Sequence, residues 1–473
     1  MHPKLKNSRV RGTPEDYFLH DVKRRQSYAL EEIHAQTLSC CNGSNTIEDI
    51  AAIMCQPPED VEEFLRVLSG AGLLDMHNPV PELFPPLTKA PYLREIQFDA
   101  TGRCNLFGIC KHCYGRPVFE KNAKGELNVA EMHAFIDEMA QANVSNCFLS
   151  GGEIFLRKDL PEMIRHLSDK YVCLDGIFTN GTIWRQEVID TILATGVATA
   201  FLVSMDGHTP ALNDFMRGKG NFEKTLRFVR KIKETNLPLT VNTMVTKQTV
   251  ESLGEMYRFM ESLGVSRWRL SIPREQGETV VNRDLIMPSW EAIFIAYDKL
   301  LRTVLDKPGK MRIQLSSVFK TEFVEEGRIY LFNPGNNCCE YKRWGLTIKP
   351  SGDIVPCSAF DDFVFGNIRK QHLLDVWYAD TTQSFKALPV DAITGCKGCD
   401  LLSLCGGGCR KMAYHLHKDI LAKDDYSCPM YRFFTETVFP LLKQHGVEVE
   451  YLPERPVYNY DPTIINETLS LTR

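Results

Sequence analysis

The sequence predicts an α/β protein in three parts: a winged-helix-like N-terminal module, a partial (β/α)6 barrel and a cysteine-rich C-terminal domain. Three observations carry that reading. From Arg94 to about residue 315, apolar strand-like runs alternate with helical patterns, the signature of a parallel sheet or barrel. A proline-dense stretch at residues 79–92 separates this alternation from what precedes it. Eight of the 16 cysteines fall between Cys338 and Cys428.

Composition bounds the class. The 473 residues include 55 Lys+Arg against 60 Asp+Glu, and the formal charge of −5 offers no general attraction to nucleic acid or anionic lipid. No apolar run reaches the roughly 18 residues of a membrane helix, and Met1-His-Pro-Lys-Leu-Lys lacks an apolar signal core. A cytoplasmic protein with no nucleic-acid or membrane partner is expected. In a reducing compartment, 16 thiols point to metal ligation or reactivity rather than to disulfides.

Taken in order, residues 1–14, with Lys4, Lys6, Arg9 and Arg11, read as a loose basic tail. Residues 15–78 read as a compact module. A β-rich entry runs to Leu30, a helix spans Glu31–Cys40, a second follows the N-cap Thr46, and Pro57 and Pro58 open a third. Residues 79–92 form a stiff linker. Within the barrel region, 93–320, strands are predicted at Glu95–Ala100, Cys147–Leu149, Val172–Phe178, Thr199–Ser204, Pro238–Val245 and Trp268–Ile272. Helical patterns between them include Val129–Ala142, Leu160–Ser168, Phe222–Glu234 and Glu251–Leu263. Such sheets place their sites at the C-terminal ends of strands. Residues 330–432 show little periodicity and are expected to fold around metal. Residues 433–473 read as a C-terminal tail.

Two motifs sit at predicted strand ends. Cys104-Asn-Leu-Phe-Gly-Ile-Cys110-Lys-His-Cys113-Tyr114 directly follows the first. Three thiolates suit an iron–sulfur cluster or zinc with a fourth position left open, as a catalytic site requires. A small structural zinc site is the alternative. Phe148-Leu-Ser-Gly151-Gly152-Glu153 closes the second strand. Its glycines let backbone approach a ligand, and Glu153 offers an acceptor to an ammonium or hydroxyl. Alone it is a common turn; one βα unit after the cysteine triplet it becomes specific.

A third constellation lies downstream: Cys339, Gly352, Cys357, then Cys396-x2-Cys399-x5-Cys405-x3-Cys409, and finally Cys428. Thiolates this dense can ligate two clusters, or two zinc ions, and so fold the segment. The other five cysteines, Cys40, Cys41, Cys55, Cys147 and Cys173, read as small core residues.

Residues 94–315 resemble the radical S-adenosylmethionine (radical SAM) superfamily, whose usual C-x3-C-x2-C motif stands here as C-x5-C-x2-C. The resemblance implies that Cys104, Cys110 and Cys113 hold a 4Fe–4S cluster whose open iron chelates the amino and carboxylate groups of SAM. It places Tyr114 near adenine and Gly151, Gly152 and Glu153 at the amino group. Ser204, in Val203-Ser-Met-Asp-Gly207, and Arg217, in Met216-Arg-Gly218, resemble ribose and carboxylate contacts. Asn180 and Asn242 resemble further polar strand ends. Ordinary loop capping is the alternative for these four.

The downstream string resembles the SPASM extension of radical SAM enzymes. That implies one or two auxiliary iron–sulfur clusters of the 4Fe–4S type. One takes Cys396, Cys399, Cys405 and Cys428; the other takes Cys339, Cys357 and Cys409, with Cys338 as the neighbouring thiol.

Residues 15–78 hold twelve acidic and four basic side chains, a net of −8, which repels phosphate and argues against the DNA binding a winged-helix outline suggests. Tyr28-Ala-Leu-Glu, Thr46-Ile-Glu-Asp-Ile-Ala-Ala and Leu68-Ser-Gly-Ala-Gly-Leu-Leu74 resemble PqqD-like recognition elements of ribosomally made, post-translationally modified peptides (RiPPs). Such elements grip a precursor's leader peptide by strand addition. Together the resemblances imply a maturase that cleaves SAM reductively to a 5′-deoxyadenosyl radical and modifies a precursor peptide. The product would be a crosslink, a thioether or another oxidised C–H site, with a flavodoxin or ferredoxin as electron donor. The alternatives are a tetrapyrrole- or sulfatase-directed maturase and a non-catalytic zinc or iron–sulfur scaffold.

Overall fold

The computed structural model describes residues 1–14, 16–24, 26–115, 125–307, 309–315, 328–332 and 344–452. Residues 1–14 are not a loose tail. β1 (Lys4–Leu5) pairs antiparallel with β5 (Leu74–Asp75). β2 (Ser8–Arg11), β3 (Tyr17–Asp21) and β4 (Gln26–Leu30) form an antiparallel sheet in that order. Arg9 and Arg11, which a tail would leave in water, are 4% and 1% exposed. The Arg9 guanidinium lies 3.5 Å from the Tyr171 ring and pairs with Glu82. Arg11 donates to the Asn143 side chain and to the Tyr171 carbonyl. These distant partners pin the first domain to the barrel.

Three helices complete that domain: α1 (Glu32–Ser39), α2 (Ile47–Met54) and α3 (Pro58–Gly70). Thr46 and Asp49 close a capping box at the start of α2, and Pro58 takes the first turn of α3. Ile47, Ile50, Val61, Leu65 and Leu68 bury against Leu19 and Tyr28 of the sheet.

β6 (Glu95–Thr101), β7 (Asn146–Gly151), β8 (Cys173–Thr179), β9 (Ala198–Ser204), β10 (Leu239–Met244), β11 (Arg267–Ser271) and β12 (Arg312–Leu315) then run parallel, side by side in chain order. The barrel thus gains a strand over the predicted six; Arg-Ile-Gln-Leu is too short and polar to announce itself. Alternation splits the faces. Ile96, Phe98, Leu149, Val203, Val241 and Leu270 join the helices in the main core. Gln97, Asp99, Ser150, Ser204, Asn242 and Ser271 fall on the opposite, inward face, with Asp99 beside Ser150 and Asn242 beside Ser204.

The cysteine-rich region does not rely on metal alone for its fold. After β13 (Arg328–Phe332), β14 (Gly345–Ile348) pairs parallel with β6. β15 (Asp353–Val355) and β16 (Gly366–Asn367) follow antiparallel, so one sheet of ten strands spans barrel and extension. Trp377 is fully buried in the common core. Nor is the segment after 433 merely a tail. Phe434, Val438, Leu441 and Leu442 enter the same core, and β17 (Glu448–Leu452) pairs parallel with β13. Residues 453–473 lie outside the described residues.

Arg369 clamps extension to barrel. It donates to Glu131 at 2.6 and 3.0 Å, and to the carbonyls of Gly125 and Ser351 at 3.1 and 2.9 Å. The Arg369 hydrogen bond holds the Glu131 carboxyl down to about 2, from an ordinary 4.5. A carboxyl that is the stronger acid when folded stabilises fully above pH 4.5 and loses that contribution as pH falls toward 2. The difference in unfolding midpoint between the parent chain and Glu131→Gln should therefore shrink across that window.

Candidate active site

The loop after β6 carries Cys104, Cys110 and Cys113, and the charges of Cys113 and Cys110 act on the Cys104 thiol, although among the described residues the three do not close into a ready metal-holding group. Its middle is a tight turn: the amides of Ile109 and Cys110 both donate to the Leu106 carbonyl, at 3.1 and 3.2 Å, and Gly108 sits at φ +74. This turn accommodates the five residues between the first two cysteines. Ile109 rests on Gly218, where a Cβ would meet its side chain at 2.3 Å. Lys111 ties the loop to the helix Pro210–Arg217, its amide reaching the Met216 carbonyl and its Nζ the Phe215 carbonyl. Burial pushes the Cys104 thiol up to about 12; the Leu106 amide opposes this, while Glu153, Cys113 and Cys110 add to it. A buried Cys104 thiol this costly to ionise, with two further thiols in the same loop acting on it, fits a cationic iron–sulfur group, which takes thiolates and removes the cost.

The glycines of Gly151-Gly152-Glu153 serve a closer neighbour than a ligand. A Cβ at Gly151 would stand 2.3 Å from the Thr101 carbonyl oxygen; one at Gly152 would stand 2.2 Å from that of Arg103 and 3.0 Å from Cys104 Cβ. The amides of Gly152 and Glu153 donate to the same two carbonyls, each at 2.8 Å. The motif thus grips the root of the cysteine loop. Glu153 is fully buried, and its carboxylate is engaged within the chain. Oε1 accepts from the Phe155 amide at 3.1 Å and Thr179 Oγ1 at 2.8 Å; Oε2 accepts from the Asn180 amide at 2.7 Å. Burial raises its pKa despite these donors.

Asn180, at the end of β8, donates to Asn105 Oδ1 at 2.9 Å, with the same Nδ2 4.0 Å from Cys104 Sγ. Ser204 ends β9 opposite Asn242, whose Oδ1 accepts from Ser271 Oγ at 2.9 Å. Arg217 is 5% exposed, its Nε 2.7 Å from Asp206 Oδ2.

Sequence reasoning passed over the partners of Arg217. His112 Nε2 lies 2.7 Å from Asp206 Oδ2, 3.3 Å from Arg217 Nη2 and 3.8 Å from Cys110 Sγ. Burial disfavours the imidazolium, yet Cys110 and Asp206 push His112 up to about 10. Burial likewise opposes the Cys110 thiolate, and His112 with Arg217 brings that thiol below its ordinary range. The signal was present, since His112 stands inside the cysteine motif and Asp206 inside Ser204-Met-Asp-Gly207.

Tyr114 follows the third cysteine and is 40% exposed as a residue. Desolvation of its hydroxyl, then Asp99, Cys113, Cys357 and Asp361, raise its pKa. It therefore stands between the cysteine loop and a buried cluster. There Lys349 Nζ binds Asp99 Oδ2 and Asp361 Oδ1, each at 3.0 Å, and the Ser358 carbonyl at 2.9 Å.

In the extension, Cys405 is pushed up to about 12 by burial and then by Cys428, Asp424 and Cys396, so these thiols share one locality. The Cys399 amide donates to the Cys396 carbonyl at 3.0 Å. Gly406, Gly407 and Gly408 all take positive φ, and a Cβ at Gly408 would meet Asp424 at 2.7 Å. Cys409 receives Arg274 Nη1 at 3.1 Å. Cys357 follows β15, while Cys338 and Cys339 lie outside the described residues. Of the five scattered cysteines, Cys41, Cys147 and Cys173 are buried and Cys40 partly so, but Cys55 is exposed at the end of α2.

Residues 99–260 match the radical SAM superfamily and residues 338–400 the SPASM iron–sulfur cluster-binding domain. The chain is 29% identical over 329 residues to the PqqA peptide cyclase of Granulibacter bethesdensis, covering 68% of this chain and 83% of that one. It is 28% identical over 358 residues to the AdoMet-dependent heme synthase of Methanosarcina barkeri, covering 72% and 97%. Its fold is similar to that of Streptococcus suis SuiB bound to S-adenosylmethionine, with a TM-score of 0.61 at 16% identity over 90% of this chain and 99% of that one. The chain carries a radical SAM domain joined to a SPASM domain: it is an enzyme, and its cofactors are S-adenosylmethionine and 4Fe–4S clusters.

Proposed function

We propose that this enzyme is a maturase of a ribosomally made precursor peptide. The observation that carries the proposal is its likeness to PqqA peptide cyclases, which extends over 83% and 87% of two such relatives. When bound, SAM and its cluster supply a 5′-deoxyadenosyl radical, which attacks C–H bonds that amino-acid side chains cannot.

The chain's own residues hold and orient. Cys104, Cys110 and Cys113 ligate the first cluster. Gly151, Gly152, Glu153 and Asn180 fix its loop, and Glu153 acts through that loop. Tyr114, Ser204 and Arg217 contact SAM, with Arg217 and His112 keeping Cys110 ionised. Cys396, Cys399, Cys405 and Cys428 ligate one auxiliary cluster; Cys357 and Cys409, with Cys338 or Cys339, ligate the other. The inward polar face from Gln97 to Ser271 receives the target segment.

Residues 15–78 bind the leader. In support, β4 pairs only with β3 among the described strands, so its other edge can receive an extended peptide. Glu59, Glu62 and Glu63 on α3 line a shallow cavity with Arg66 and Val67, which suits a leader carrying basic side chains. An electron carrier of the flavodoxin or ferredoxin class serves the first cluster. Among the described residues no helix is long and apolar enough to cross a membrane, and a reducing cytoplasm suits a chain of 16 cysteines whose 14 described ones are free thiols.

Anaerobic chain given SAM and dithionite should release 5′-deoxyadenosine, and Cys113→Ala should reduce the yield to background. A precursor peptide should then lose two hydrogens in mass with the parent chain only. The heme synthase relative favours a second reading, tetrapyrrole oxidation. Turnover of a tetrapyrrole with an untouched peptide would transfer the assignment to it.

A further inference from the structure

Arg274 lies three residues beyond the end of β11, on the C-terminal rim of the barrel. Among the described residues its guanidinium makes one hydrogen bond, from Nη1 to Cys409 Sγ at 3.1 Å, and the Asp424 carboxylate acts on it from beyond ion-pair distance. A partly buried guanidinium whose direct acceptor is a sulfur, with its carboxylate neighbour beyond contact, is best satisfied when that sulfur is negative. A neutral thiol is a weak acceptor; a thiolate ligated to iron is a suitable one.

The surroundings fix both ends of the contact. Tyr426 Oη donates to the Pro273 carbonyl beside Arg274, and the Tyr426 ring packs edge-on against Trp290 with centroids 5.1 Å apart. The Cys409 amide donates to Asp424 Oδ2 at 2.7 Å, and the Tyr426 amide to Asp424 Oδ1 at 3.0 Å. Asp424, 2% exposed, thus locks the Cys409 backbone while leaving its sulfur to Arg274.

We propose that Arg274 is a positioning residue that sets the reduction potential of the auxiliary cluster held by Cys409. This rests on reading Cys409 as a ligand. Reduction adds negative charge to a cluster, so a cationic donor to its sulfur favours the reduced form and raises the potential. Because Arg274 belongs to the barrel rim and Cys409 to the extension, the same bond fixes the cluster against the barrel.

The test uses the full-length holoenzyme, purified anaerobically. Cys409→Ala first identifies the paramagnetic signal that depends on this sulfur. If iron content and every signal survive that change, the ligand reading fails, and the proposal with it. Redox titration of that signal should then show a lower midpoint in Arg274→Gln at unchanged iron content, with a smaller drop in Arg274→Lys. An unmoved midpoint would overturn the proposal while leaving the ligand reading intact. If Arg274→Gln does not assemble, the parent enzyme still decides. With 15N-labelled arginine, pulsed paramagnetic resonance should show 15N coupling to the reduced cluster. Absence of that coupling overturns the proposal.

Discussion

Gly152→Ala is expected to deprive the chain of its SAM-binding cluster. The added methyl would stand 2.2 Å from the Arg103 carbonyl oxygen and 3.0 Å from Cys104 Cβ. Neither neighbour is the free end of a flexible side chain, so the root of the cysteine loop must shift and Cys104 with it. Three ligands leave no redundancy. Iron should fall by roughly one cluster in three, deoxyadenosine release should drop to background, and the auxiliary signals should persist. Gly70→Ala is the control, since a Cβ there meets nothing within 4 Å. Full iron content with undiminished SAM cleavage in Gly152→Ala would show that the loop tolerates the displacement.

Lys349→Met should be the most damaging single change to stability outside the ligands. Lys349 is 1% exposed and Asp99 is fully buried, so removing the ammonium strands a carboxylate in the barrel interior. Losing one member of a buried pair costs about 3–5 kcal/mol, whereas replacing both by apolar groups is often neutral. Denaturant unfolding should therefore show a large loss for Lys349→Met and substantial recovery in Lys349→Met/Asp99→Leu. Ser358 Oγ and Gln97 Nε2 also donate to Asp99 Oδ1, at 3.2 and 3.3 Å, and these donors limit the recovery. Equal losses in both variants would mean that the ammonium acts mainly through Asp361.

The barrel was legible because its strands are long, apolar and separated by amphipathic helices, so each predicted strand found its counterpart within a few residues. The candidate site's motifs could be read where they are local in sequence: thiols in one loop, glycines at a strand end. What escaped depends on partners far along the chain. Arg9 reads as a tail residue until Tyr171 and Phe84 are seen beside it. His112 looks like a spacer until Asp206, 94 residues away, is placed against it. β14, β15 and β16 hold two to four residues each, too few for any periodicity to register.

The pairing of β14 with β6 has a practical side. β14 covers Glu95–Phe98 of β6, and without it those four residues would present unsatisfied amides and carbonyls flanked by Ile96 and Phe98. Bare strand edges beside apolar side chains recruit other chains. A version of this protein cut before residue 344 would therefore not be a simpler enzyme with fewer clusters. It would be an adhesive fragment, driven toward inclusion bodies before its chemistry could be assayed. The auxiliary region acts as the seal that keeps the catalytic barrel dispersed, whatever electrons it also handles.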